Sequence, residues 1–158
     1  EVINLSKEVA SILNLKYMIK SSATTGAYNS AAIRGIPSIL IERGGRGTWS
    51  VEEVDKYKKD VRRVLNKLDI LKYIDSEELE NKVEITNAIY INSNKGGCWY
   101  PHVSPGNLVN KGDLLGIIKD FFGNTLESHY AQVNGVVLYM TVSLSIKENE
   151  SLIAYGEI

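Results

Sequence analysis

One carboxylate stands out by its surroundings. Glu42 directly follows the apolar run Ser38, Ile39, Leu40, Ile41 and directly precedes a Gly/Arg loop at residues 43–47. In α/β proteins, ligands bind outside the carboxyl ends of parallel strands. A carboxylate at such a strand end, followed by the Gly44-Gly45 pair, is placed for that crevice. If partly desolvated it would keep its proton toward neutral pH, which suits a general base. The same spacing also allows a plainer reading, a carboxylate bonded to loop backbone or paired with Arg43 or Arg46.

Other reactive side chains are few. His102 and His129 are the only two histidines, which limits metal-site and histidine-catalysis readings from the start. Cys98 lies four residues before His102, a spacing open to a thiol–imidazole pair, but no third group accompanies them. A small buried strand residue is the alternative. Gly96-Gly97 lacks the Lys-Ser/Thr partner of a phosphate loop. The single cysteine excludes an intrachain disulfide, so a reducing compartment and a cytoplasmic location are expected.

The elements that must position these residues fall into two unlike halves. Residues 1–16 predict a helix, with Val2, Leu5, Val9, Ile12 and Leu13 on one face. A short strand is expected near residues 16–20 and a short helix over residues 28–34, ended by Gly35 and Pro37. The run at 38–41 has no polar alternation, as for a strand buried on both faces. Ser50 and Glu53 form a capping box, with Trp49 and Val54 placed for a hydrophobic staple. The helix that follows has an apolar stripe of Val51, Val54, Val61, Val64, Leu65, Leu68 and Leu71. Its basic residues, Lys56 to Lys67, read as a solvated face rather than an anion-binding surface.

Residues 1–74 are therefore expected to be an α/β part, residues 75–85 an acidic linker, and residues 86–158 a β domain. Short β-type runs are expected at 88–92, 99–103, 114–118, 128–133, 136–145 and 152–158, with Gly or Asn-Gly punctuation between several of them. A weak internal echo, Val103 to Ile118 against Val133 to Gly156, suits a barrel-sandwich hybrid. A carrier of that architecture needs an exposed hairpin lysine, and residues 122–129 contain none.

Composition bounds the function classes. The 158 residues are 44% hydrophobic and 23% charged, which is ordinary globular usage. A net charge of -1 gives no basic excess for nucleic acid or a membrane surface, and no apolar run is long enough to span a bilayer. The start at Glu1, without an initiator methionine, points to a processed, trimmed or longer polypeptide.

Two segments carry a resemblance. The first runs from Thr25-Gly26-Ala27-Tyr28 through Arg34-Gly35-Ile36-Pro37 and residues 38–41 to Glu42 and Gly44-Gly45. The second reads Pro101-His102-Val103, then Gly112-Asp113 through Gly116 and Asp120 to Gly123, then Asn134-Gly135-Val136-Val137. Together they resemble the C-terminal part of the succinylglutamate desuccinylase/aspartoacylase family, zinc deacylases related to the zinc carboxypeptidases. The implied fold is an incomplete zinc-carboxypeptidase-like α/β catalytic domain followed by a small all-β barrel-sandwich-like domain.

The resemblance implies further that Glu42 matches the glutamate that activates a zinc-bound water. It implies that Tyr28 contacts substrate and that an arginine holds the substrate carboxylate. Arg34, Arg43 and Arg46 are the candidates, since a guanidinium grips a carboxylate bidentately, but none falls in secure register. The family's His-x-x-Glu zinc motif does not occur here. Any zinc ligands are therefore expected upstream of Glu1, with none in this chain. The expected partner is a small N-acylated substrate. A complementing N-terminal segment or another copy of the chain is expected to complete the sheet, because an isolated strand at 38–41 would leave an unpaired edge. The competing reading is a non-catalytic β binding or assembly module with an α/β remnant.

Overall fold

Three helices and two short strands build the first part of the chain. In the computed structural model, which describes residues 1–158, the chain divides into two compact units, Glu1–Glu84 and Ile85–Ile158. The first unit contains α1 (Val2–Ser11), β1 (Tyr17–Ile19), α2 (Ala27–Ile33) and α3 (Val51–Lys67). β1 pairs with β2 (Val83–Ile85), whose last residue, Ile85, is the first of the second unit. α1 stops short of the expected residue 16. Beyond its end the Lys82 ammonium donates to the carbonyls of Leu13 and Leu15, the latter at 2.6 Å. Both carbonyls lie past the helix end, and that of Leu13 also accepts from the Leu15 amide at 3.0 Å. Burial pushes the Lys82 pKa down. α2 ends where Gly35 takes φ 85, a left-handed conformation that glycine adopts without steric cost.

α3 begins as expected and then turns an unexpected face inward. The Ser50 hydroxyl accepts from the Glu53 amide at 3.1 Å, which caps the helix. The staple does not form, because Trp49 is 78% exposed. Val51, Val54, Val61, Leu68 and Leu71 of the apolar stripe are exposed, while Asp60 and Arg63 are buried. The helix is held in this unit by charge. Arg63 donates to Asp60 at 3.0 Å, to Asp75 at 2.5 Å through Nε, and to Glu77 at 2.7 Å. Asp75 and Glu77, in the acidic stretch read as a linker, thus bond back to α3. The basic residues around them are largely paired, Lys56 with Glu52, Lys58 with Asp55, Lys59 with Glu77 and Lys67 with Glu8.

The expected strand at 38–41 is corrected. The segment has no ladder partner, and Leu40 is 58% exposed. Its ties are at Ser38, which donates through its amide to Ser6 Oγ at 3.0 Å and through its hydroxyl to the Tyr28 carbonyl at 2.6 Å. A strand buried on both faces needs a neighbour on each side and a layer above and below. These 158 residues supply neither. Leu13 is the only fully buried large apolar side chain of the first unit.

The second unit is all β. One antiparallel sheet has the order β3 (Ala88–Asn92), β10 (Ser151–Glu157), β8 (Gly135–Met140), β5 (Leu108–Val109). The other has the order β7 (Thr125–Tyr130), β6 (Leu114–Lys119), β4 (Gly97–Pro101), β9 (Ser145–Ile146). Trp99, Leu115, Ile118 and Ile146 from one sheet share a core with Val109, Val137, Leu152, Ile153 and Tyr155 from the other. The sheets remain open, so the architecture is a two-sheet sandwich and not a closed barrel. The expected run at 136–145 breaks at Met140, and β9 belongs to the opposite sheet. The two-residue strand β5 is too short to leave an alternation that can be read in sequence.

Gly116 shows how tightly this core is built. A Cβ there would lie 2.3 Å from the Trp99 ring, which is 2% exposed and cannot move into solvent. Gly116→Ala is expected to destabilise the second unit by about 1–3 kcal/mol through overpacking, read as a lower denaturant midpoint. In the first unit, the amide of Glu77 holds the Asp75 carboxyl below its ordinary pKa, and the Arg63 guanidinium does the same for Glu77. Depressed folded-state values mean that this stabilisation is complete above the ordinary carboxylate range, about pH 4. It is lost as pH falls through the lowered values. Urea midpoints followed from pH 7 to pH 3 should therefore drop at the acid end, and Arg63→Met should flatten that drop.

Candidate functional site

The loop after residues 38–41 carries the candidate residues. Glu42 is exposed, and its carboxylate makes no hydrogen bond or ion pair. Its neighbour Arg43 is fixed. The Arg43 amide donates to the Tyr57 hydroxyl on α3 at 2.9 Å. The Arg43 guanidinium reaches Asp60 through Nε at 2.9 Å and Nη2 at 2.5 Å, and the Asn14 carbonyl at 2.9 Å. Asp60 has no exposed side-chain surface, and the Arg43 side chain is 9% exposed. The second Asp60 oxygen takes Arg63 at 3.0 Å and the Asn14 amide at 3.2 Å. One buried carboxylate therefore joins the end of α1, the Glu42 loop and α3.

Past Arg43 the chain turns sharply. Arg46 takes φ 58, and Thr48 closes the turn with its amide and hydroxyl both on the Gly45 carbonyl, at 3.1 and 3.0 Å. Arg46 and Arg34 are exposed, and neither side chain is engaged, so both are free to meet an anion. Arg34 is the C-cap of α2. Tyr28, on the same helix, is half-buried, and its carbonyl is held by Ser38. Arg43 differs from the other two arginines. Its fork is already engaged by Asp60 and Asn14, which leaves it a poor grip for a substrate carboxylate. The alternative in which Glu42 pairs with Arg43 or Arg46 is not realised.

Sequence reasoning missed Asp60, Tyr57 and Asn14. The only legible signal was Asp60 three residues before Arg63 in a mostly basic helix, a spacing at which side chains meet.

The histidines and the cysteine do not come together. His102 is exposed, with Nδ1 3.2 Å from the Tyr100 carbonyl. Cys98 is half-buried in β4. Four residues along an extended strand separate them by roughly 13 Å, so no thiol–imidazole pair forms. His129 lies in β7 with Nε2 3.1 Å from Glu127, and its ring meets Trp99 edge-on. No group of three or more His, Cys, Asp or Glu side chains is arranged to hold a metal ion. By themselves these residues do not fit the zinc site that the resemblance implies.

No family model and no curated protein matches the sequence. Solved structures do match. The apo ectoine utilization protein EutE (DoeB) from Ruegeria pomeroyi aligns with a TM-score of 0.84 at 23% identity, over 98% of this chain and 51% of that one. A succinylglutamate desuccinylase/aspartoacylase from Rhodobacter sphaeroides aligns with a TM-score of 0.79 at 17% identity, over 99% and 50%. An aspartoacylase family protein from Mesorhizobium loti aligns with a TM-score of 0.72 at 18% identity, over 99% and 48%. This chain spans about half the length of each. The chain has the fold of half of a succinylglutamate desuccinylase/aspartoacylase family protein.

Proposed function

We propose that these residues are the C-terminal portion of a zinc-dependent deacylase that hydrolyses an amide bond of a small N-acylated amino acid or related compound. The observation that carries this reading is Glu42. It is an exposed, unpaired carboxylate on a pinned peptide, in a chain that shares its fold with half of a succinylglutamate desuccinylase/aspartoacylase. An unengaged carboxylate is available to take a proton from an attacking water and return it to the leaving amine. Arg34 and Arg46 are the open cationic groups for an acidic substrate, and Tyr28 is a further contact. The zinc ligands belong to residues outside these 158, and the complete enzyme works in the cytoplasm.

A second reading has its own support. The β unit has a dense apolar core, whereas the first unit has one buried large apolar side chain. That asymmetry suits a β binding or assembly module with an α/β remnant. The coding sequence upstream of Glu1 separates the two readings. The deacylase reading requires a His-x-x-Glu followed by a later His, and their absence overturns it. In the full-length protein, Glu42→Gln should leave metal content unchanged and lower turnover of N-acetyl and N-succinyl amino acids at least about a hundredfold. Wild-type turnover would remove Glu42 from the reaction. Residues 1–158 alone should retain much less than one zinc per chain by metal analysis.

A further inference from the structure

The Glu42 carboxylate has no partner of its own, yet its surroundings are among the most firmly bonded in the first unit. The peptide that joins Glu42 to Arg43 presents its N–H to the Tyr57 hydroxyl at 2.9 Å. One residue on, the Arg43 side chain makes two bonds to a carboxylate with no exposed surface. A planar guanidinium held through two nitrogens has little freedom to pivot. Asp60 in turn cannot shift, because its other oxygen is taken by Arg63 and by the Asn14 amide. After Arg43 the chain enters the Gly44–Gly47 turn, where three residues take positive φ and the hold is local, Thr48 on the Gly45 carbonyl.

We infer that Asp60 and Tyr57 are positioning residues for Glu42. They clamp Arg43 from its side chain and its amide, and so fix where the preceding carboxylate projects. The inference deepens the deacylase reading and rests on it for the catalytic consequence. Its structural part, a clamp that orders the Glu42 peptide, stands apart from that reading. The geometry serves a base well, since a carboxylate that must reach a water and then a leaving group needs a fixed origin and a free head. A loss of position on the order of 1 Å costs rate and not affinity.

Two variants of the full-length protein test it. Tyr57→Phe removes one hydroxyl from the clamp. Arg43→Met with Asp60→Leu replaces the buried pair by apolar side chains, a change that often preserves folding. Hydrogen exchange at the Arg43 amide is measured alongside steady-state kinetics on the same N-acyl amino acids. Each variant should exchange at least about tenfold faster at that amide. Each should also lower kcat by at least about tenfold with KM and metal content unchanged. A purely structural role would lower the melting temperature and the active fraction, without changing kcat per folded, metal-loaded site. Wild-type exchange at the Arg43 amide in Tyr57→Phe overturns the clamp, whatever the double variant does. Faster exchange with unchanged kcat overturns the catalytic consequence. If Glu42→Gln keeps full turnover, the base assignment fails, and the exchange result still decides the clamp.

Discussion

Asp60 is a carboxylate in the middle of an exposed-looking helix, with no surface open to water. Such a group is tolerated only when its lone pairs are satisfied and its charge is matched. Arg43, Arg63 and the Asn14 amide meet that requirement together. Removing one member of a buried pair costs about 3–5 kcal/mol, because the survivor is left uncompensated. Several parts of the first unit are tied to this arrangement. It locks the end of α1 to α3, places the Glu42 loop between them, and draws the acidic stretch at Asp75 and Glu77 back onto Arg63.

The two units are stabilised by different physics. The β sandwich has the usual source, apolar side chains from two sheets removed from water. The first unit has charge networks and helix caps but little apolar burial. Its exposed Ile33, Ile36, Leu40, Val51, Val61 and Leu68 are a large unused hydrophobic surface. In half of a larger fold such a surface is expected, since a sheet layer covers helix stripes and both faces of its strands. The directional charge network sets local geometry in the meantime.

Much of the fold was legible. The α2 stop at Gly35, the Ser50 cap and the strands β3, β6 and β10 follow from backbone and patterning rules that act over a few residues. The loop at Glu42 was legible for the same reason, as an apolar run, a carboxylate and two glycines. The failures share a cause. The pattern at 38–41 and the stripe on α3 describe what those residues could bury, and a local pattern does not specify what they meet. The break of the 136–145 run between two sheets was hidden because both parts are apolar.

Taken alone, the sequence determined where α2 stops, where α3 begins, and that Glu42 follows an apolar run ahead of a glycine-rich loop. These are local properties, governed by dihedral preference, capping and short-range periodicity. Only the tertiary structure decided that Arg43 faces inward to a buried aspartate, that α3 turns Asp60 and Arg63 into its unit, and that Glu42 is unpaired beside a pinned peptide. Those outcomes depend on which charges can be desolvated together. That balance is struck among Arg43, Asp60, Arg63 and Asp75, with Asn14 beside them, groups from separate stretches of the chain that folding links bond by bond, Asp75 through Arg63.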